Sequence, residues 1–132
     1  MLYTVSYSRL PVANLQAWLE AHDAVLVDVR LRPYSRSQPE YNRNQLQDRL
    51  GSRRYMHVPA FGNINYKGGD IELRDPAKGL HTIKPIMRNH PIVLMCVCWN
   101  HKTCHRSTVA DFIIRHTNEY QVTHLARKDV TG

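Results

Sequence analysis

The segment from Pro91 to Arg106 constrains the fold more than any other part of this chain. Ile92 to Val97 is an almost wholly apolar run, which predicts a buried strand. All three cysteines fall between positions 96 and 104, at the end of this strand and in the polar run after it. Thr103 is placed to cap a helix, whose apolar face recurs at helical spacing at Val109, Phe112, Ile113 and His116. Open α/β proteins have their binding and catalytic residues at such connections between the end of a strand and the start of a helix.

The rest of the chain alternates between strand-like and helix-like segments. Further strands are predicted at Leu2–Val5, Ala24–Val29, Tyr55–Val58 and Val122–Leu125. Helices are predicted at residues 11–22, Asn42–Leu50 and His81–His90, with a loop at 30–38. Residues 60–80 hold four glycines and predict a long connection, serving as a mobile lid with a short edge hairpin. This order predicts a single three-layer, Rossmann-like α/β domain over residues 1–132, with a mostly parallel sheet of about five strands and helices on both faces.

Composition excludes several classes of protein. The chain of 132 residues is 42% hydrophobic, which suits a globular protein, and no apolar run approaches the ~20 residues of a membrane helix. No signal-peptide pattern opens the sequence, so a cytoplasmic protein without membrane contact is expected. The crowded cysteines do not resemble a secreted disulfide framework, so reduced thiols or a metal are expected instead.

The net charge of +7 is concentrated in one segment. Residues 30–54 hold seven arginines and two acidic residues, a local net charge of +5. Such a cluster favours anionic partners, either small phosphate-bearing molecules or nucleic acid, and a solvated basic face is the alternative. No G-x-G-x-x-G or Walker-type loop is present, so nucleotide binding of those classes has no support.

Polar residues follow each of the first four predicted strands. Because parallel strands end at a common edge, we expect these residues to meet there. They are Ser6 and Ser8, then Asp28, Arg30 and Ser35, then His57 and Asn63, and finally Cys98 through Arg106.

The triplet Cys104, His105 and Arg106 carries the most specific chemical expectation. Free N–H groups in the first turn of a helix favour negative charge and hence the thiolate form of a cysteine. Cys104 is therefore a candidate nucleophile, redox centre or metal ligand. Arg106 can bind a carboxylate or a phosphate. If its partner is Asp28 the arginine is structural, and if its partner is a substrate oxyanion it is functional.

Asp28 and the remaining cysteines each admit two interpretations. Asp28 is either a base or orienting partner for an arginine, or one half of an internal salt bridge. Cys96 is expected to be an inert core thiol, and Cys98 is either an inert thiol or a functional one. A zinc site could be formed by Cys96, Cys98, His101, Cys104 and His105, but the paired C-x-x-C spacing is missing, so no metal or cofactor is expected.

Several motifs resemble the family catalogued as domain of unknown function 488. Asp28-Val29-Arg30 with Pro33 and Ser35 is similar to its DVR-x-x-P-x-S motif, and Cys96 with Cys104-His105-Arg106 to its closing C…CHR motif. Weaker likenesses lie at Thr4 with Ser8, at Tyr41-Asn42 and at Tyr55 through Gly62. The chain departs from the family pattern at Ser6 and Cys98, where the family usually has Gly and Glu. The resemblance implies a compact α/β domain with a site at Asp28, Arg30, Ser35, Cys96, Cys104, His105 and Arg106, and it implies no reaction.

Two functions from different classes are predicted. The first is a small enzyme acting on an anionic, phosphate-bearing or nucleotide-like substrate. Its catalytic residues would be Asp28, Cys104 and His105, and its substrate-binding residues Ser8, Arg30, Ser35, Arg36 and Arg106. The second is a non-catalytic module for nucleic acid or a protein partner, using the basic segment and exposed aromatics such as Tyr34 and Tyr41. A redox sensor based on a Cys98–Cys104 disulfide is a third hypothesis.

Overall fold

The computed structural model describes residues 1–97, 105–119 and 121–131. Its five strands are β1 Leu2–Ser6, β2 Val25–Asp28, β3 Tyr55–His57, β4 Ile92–Cys96 and β5 Val122–Leu125. Its helices are α1 Val12–His22, α2 Arg43–Leu50, α3 Pro76–Met87, α4 His105–His116 and α5 Arg127–Thr131. Two short 3₁₀ helices span Pro39–Tyr41 and Pro59–Phe61. The predicted α/β class is confirmed.

All five strands lie in one parallel sheet, in the order β3-β2-β4-β1-β5. Strand β4 lies between β1 and β2, so Leu94 pairs with Thr4 on one side and with Val27 on the other. Every residue of β2 and β4 is buried, as expected for central parallel strands covered on both faces. Because the strands are parallel, their carboxyl ends open on one edge of the sheet, called here the carboxyl edge.

Alternate residues of the central strands face two separate apolar layers. On one face the even-numbered β4 positions Ile92 and Leu94 pack with helices α3 and α4, through residues such as Ile83 and Ile113. On the other face Val93 and Met95 pack with α1 and α2, through residues such as Leu15, Leu19 and Leu46. This is the three-layer arrangement that the alternating sequence predicted.

The region predicted as a long connection is partly helical. Helix α3 begins at Pro76 rather than His81, because the Asp75 carboxylate accepts a hydrogen bond from the Lys78 N–H at 3.3 Å and caps the first turn. Residues 62–73 remain irregular and contain one antiparallel bridge, between Asn63 and Leu73.

Most other differences from the sequence prediction are shifts of one or two residues at the ends of elements, such as β2, which spans Val25–Asp28 rather than Ala24–Val29, and β4, which ends at Cys96 rather than Val97. Helix α3 ends at Met87 rather than His90, and helix α5 had no predicted counterpart. None of the helices in the described ranges combines the length and apolar character needed to span a bilayer.

Candidate functional site

Asp28 lies at the carboxyl end of β2 and is fully buried. Its Oδ1 accepts hydrogen bonds from the backbone N–H and Nε of Arg30, at 3.1 and 2.8 Å. Its Oδ2 accepts from Arg30 Nη2 at 2.6 Å and from the Tyr55 hydroxyl at 2.7 Å. Four donors occupy the usual accepting capacity of a carboxylate. This geometry favours the internal salt bridge, which was one of the two interpretations left open by the sequence.

Arg30 has further partners besides Asp28 within the described residues. Its Nη2 also donates to the Tyr41 carbonyl oxygen at 2.7 Å, and its guanidinium lies 5.0 Å from the centroid of the Tyr7 ring. Burial acts to lower the pKa of Arg30, but the hydrogen bonds and charge of Asp28 raise it above its ordinary value. Nη1 of Arg30 is the one buried side-chain nitrogen or oxygen in the described ranges without a hydrogen-bond partner.

His105, the first residue of α4, connects the start of that helix to the segment that contains Asp28 and Arg30. Its Nε2 lies 2.8 Å from the Val29 carbonyl oxygen, and because a carbonyl only accepts, Nε2 carries the proton. Burial lowers the pKa of His105 below 6.5, against the opposing influence of the Val29 bond and the Asp28 charge. Near neutral pH the ring is therefore uncharged, and Nδ1 is the atom that can accept a proton.

Arg106 is buried beneath the same edge and contacts the end of the sheet. Its Nε donates to Thr4 Oγ1 at 3.2 Å, and its Nη1 lies 3.6 Å from Cys96 Sγ. Thr4 Oγ1 is also 2.6 Å from His124 Nδ1 on β5. Burial lowers the pKa of Arg106. Cys96 is disulfide-bonded, so the prediction that it is a free thiol in the core is wrong.

A hollow of about 230 Å³ opens beside Arg106, between the ends of β1 and β5. It is lined by Ser6, Ser8, Arg106, Leu125, Ala126 and Arg127. We call it the Arg106 hollow. Two arginines and the Ser8 hydroxyl around a small cavity supply donor groups of the kind that bind a phosphate or carboxylate. The Ser6 hydroxyl already donates to the Val97 carbonyl oxygen at 2.8 Å and accepts from the Ser8 N–H at 3.3 Å, so it shapes the wall of the hollow. Sequence reasoning missed Arg127 because it followed only the first four strands to their ends, and β5 ends at the same edge.

The other predicted site residues have varied surroundings. Ser35 builds its own loop: its N–H donates to Asn42 Oδ1 at 2.6 Å and its Oγ accepts from the Gln38 N–H at 3.0 Å. Arg36 is exposed on that loop. His57 Nε2 lies 2.8 Å from the Arg30 carbonyl oxygen, which connects the ends of β2 and β3.

The prediction that Tyr41 is exposed is wrong. Its side chain is fully buried, because the 3₁₀ helix Pro39–Tyr41 turns the ring inward, where it stacks on the Tyr7 ring with 4.7 Å between the centroids. Its hydroxyl donates to the Leu10 carbonyl oxygen at 2.7 Å.

The predictions for Cys98, His101, Thr103 and Cys104 lie outside the described residues. Within the described ranges there is no group of three or more His, Cys, Asp or Glu side chains arranged to hold a metal ion.

A family model for the domain of unknown function DUF488 matches residues 15–69. The chain resembles the DUF488 family. Over the matched segment the resemblance is confirmed, and that segment contains the DVR-x-x-P-x-S-like motif with Asp28, Arg30 and Ser35. The C…CHR motif of the DUF488 resemblance lies beyond it. No curated protein and no solved structure shows significant similarity to the chain.

Proposed function

We propose that this protein is a small enzyme acting on an anionic, phosphate-bearing substrate held in the Arg106 hollow. The observation that supports the proposal is the pairing of Arg106 and Arg127 with Ser6 and Ser8 around one cavity at the carboxyl edge. Ligands of open α/β proteins bind outside the carboxyl ends of the strands. Guanidinium groups in a partly enclosed site bind phosphate oxygens in a bidentate manner.

The proposed chemistry uses the residues around the start of α4. Cys104 directly precedes His105 in the chain and, in its reduced thiol form, is the proposed nucleophile or acid. Because Cys96 is disulfide-bonded and the chain has three cysteines, assays of this chemistry include a thiol reductant. Neutral His105, protonated on Nε2, is the proposed proton carrier through Nδ1. Asp28 is a positioning residue, because it fixes Arg30 and so the backbone of Val29 that orients His105.

Anion binding is tested first, without knowledge of the substrate. Inorganic phosphate and nucleoside monophosphates should raise the melting temperature of the wild-type protein, since a ligand that binds only the folded state stabilises it. Arg127→Ala should abolish that rise. The matched control is Arg115→Ala, an exposed arginine at the far end of α4, which should retain it. Equal responses of the two variants would contradict the proposed hollow.

Catalysis is tested with Cys104→Ser and Cys104→Ala on a panel of phosphate esters and nucleotides. Turnover of any ester by the wild type should fall by at least about a hundredfold in the alanine variant if the thiol reacts. Full activity in both variants would exclude a reacting thiol.

A second candidate function is a non-catalytic binding module. It is favoured by Arg32, Arg36, Arg43 and Arg53, which are exposed members of the basic segment. Others in that segment are internally engaged: Arg30 with Asp28, and Arg54 with Asp23 at 3.0 Å. Absence of turnover combined with salt-sensitive binding of a polyanion would favour this function over the first.

A further inference from the structure

We infer that two loops at the β2–β3 end of the carboxyl edge form a docking surface for single-stranded nucleic acid. The surface comprises Arg32, Tyr34, Ile64, Tyr66 and Lys67, and is called here the Tyr34–Tyr66 surface. Tyr34, Ile64 and Tyr66 are 71%, 43% and 46% exposed, and are three of the five exposed large hydrophobic residues in the described ranges. This inference goes beyond the proposed enzyme activity and does not depend on it.

The two loops are in direct contact through Arg32 and Tyr66, and Tyr34 adjoins Arg32 on the first loop, where its N–H donates to the Arg32 carbonyl oxygen at 2.9 Å. Arg32 lies with its guanidinium carbon 5.4 Å from the centroid of the Tyr66 ring, and Lys67 Nζ lies 5.9 Å from the same centroid. Beneath them Gly62 packs on Leu31 so closely that an added Cβ would be 2.8 Å from the Leu31 Cα. Only glycine permits this approach of the two backbones.

Both loops are ordered by their own hydrogen bonds. In the second loop Asn63 Oδ1 accepts from the N–H groups of Asn65 and Glu72, at 3.0 and 3.1 Å, and the Ile64 N–H donates to the Glu72 carbonyl oxygen at 2.9 Å. The first loop is closed by the Ser35 and Asn42 contact described above. Rings exposed on a pre-ordered backbone lose little conformational freedom when a ligand binds.

Exposed aromatic rings interleaved with cations fit unpaired nucleotides. Bases stack on aromatic side chains while Lys and Arg track the phosphates, and this combination tolerates many sequences. Asp70 and Glu72 also lie on the second loop, but exposed cations on and beside the two loops outnumber them. Arg32 and Arg36 lie on the first loop, Arg43 adjoins it through its N–H bond to the Pro33 carbonyl oxygen at 3.0 Å, and Lys67 lies on the second loop. The surface is built from two loops and presents no helix for the major groove, so unpaired bases fit it better than a duplex.

The test uses fluorescence anisotropy with labelled oligo(U) and oligo(dT) of about twelve nucleotides, and a duplex of the same length. The wild-type protein should bind the single strands more tightly than the duplex, and its affinity should fall as salt is raised. Tyr34→Ala should weaken binding about tenfold, because a stacked base is lost, whereas Tyr34→Phe should bind as the wild type does. Tyr34 is exposed, so both variants should keep the wild-type melting temperature.

A matched pair of arginine variants tests whether binding depends on the position of a positive charge or only on the net charge of the protein. Arg32→Ala should weaken binding about tenfold, and Arg53→Ala, which removes an equal charge from an exposed arginine between α2 and β3, should change it less than about twofold. Equal effects of the two variants would overturn the proposal, because attraction to the net charge alone would then explain binding. Absence of binding by the wild-type protein would also overturn the proposal and would favour a protein as the partner of this surface.

Discussion

At the residue scale, the polar groups of the candidate site are held by a buried network rather than by solvent. The Asp28 carboxylate accepts hydrogen bonds from Arg30 and Tyr55, and burial together with the Asp28 charge raises the pKa of the Tyr55 hydroxyl above its ordinary value. Charged groups out of water are tolerated only when they are paired and hydrogen-bonded. Removing one member therefore costs more than the lost contact, because it leaves the others unpaired in the interior.

Asp28→Asn should lower the free energy of unfolding by about 3–5 kcal/mol, since it leaves the Arg30 charge buried without compensation. Tyr55→Phe removes one hydroxyl donor and should cost about 1.5–3 kcal/mol. Urea unfolding followed by circular dichroism measures both. Tyr34→Phe, at an exposed ring, is the control and should change stability by less than about 0.5 kcal/mol. A smaller loss for Asp28→Asn than for Tyr55→Phe would contradict the importance of the ion pair.

His105 should make stability depend on pH in the mildly acidic range. The unfolded chain takes up a proton on this histidine as pH falls through 6.5, whereas the folded protein, with its lowered pKa, does not. The contribution of His105 to stability is therefore complete above pH 6.5 and declines below it, by at most about 1.4 kcal/mol per pH unit.

Replacing this histidine removes that dependence. His105→Gln should flatten the decline in the free energy of unfolding between pH 6.5 and about pH 5, measured by urea titrations at each pH. His81→Gln, at an exposed histidine of α3, should leave it unchanged. Identical slopes for the wild type and the His105→Gln variant would show that the folded ring takes up its proton as the unfolded chain does.

At the element scale, strands were easier to predict than the segment that carries α3. Strands β2 and β4 are near-continuous apolar runs, a pattern that only a doubly covered strand explains. The first turns of helix α3 contain Gly79, a residue that disfavours helices and one of the four glycines in residues 60–80, so they were assigned to a loop. Gly79 is there for packing: an added Cβ would be 2.7 Å from the ring of buried Phe61.

Gly79→Ala should therefore destabilise the protein although alanine is the better helix former. Overpacking costs about 1–3 kcal/mol, which exceeds the gain of up to about 1 kcal/mol in helix propensity. Lys84→Ala, at an exposed position of the same helix, should be nearly neutral. Thermal unfolding compares the two variants. A raised melting temperature for Gly79→Ala would show that the Phe61 ring yields to the added methyl group.

At the scale of the whole molecule, the sheet order unites segments that are distant in sequence. Strand β4 is inserted between β1 and β2, and Arg106 thereby reaches Thr4, which in turn contacts His124. The central strands contribute side chains to both apolar layers, so neither layer can be lost while the other stays intact.

We therefore expect residues 1–132 to unfold as one cooperative unit. Near-ultraviolet and far-ultraviolet circular dichroism should report coincident melting transitions, and the calorimetric and van't Hoff enthalpies should agree. Two separated transitions would contradict a single domain.

Removal of residues 121–132 should lower the melting temperature, because β5 pairs with β1 along its length and Val130 is buried against the α1 layer.

The α/β class and the approximate positions of all five strands follow from the amino-acid sequence, as does the expectation that polar residues gather where the strands end. These features depend on local periodicity and on the shared direction of parallel strands, both of which can be read along the chain. Which charged groups contact one another follows from the packing of the folded chain. The Tyr55 bond to Asp28, the inward turn of Tyr41 and the position of Arg127 and Arg106 around one cavity all depend on distances between segments far apart in sequence. No local pattern encodes such distances, because they follow from the order of strands in the sheet and from how the helices pack on it.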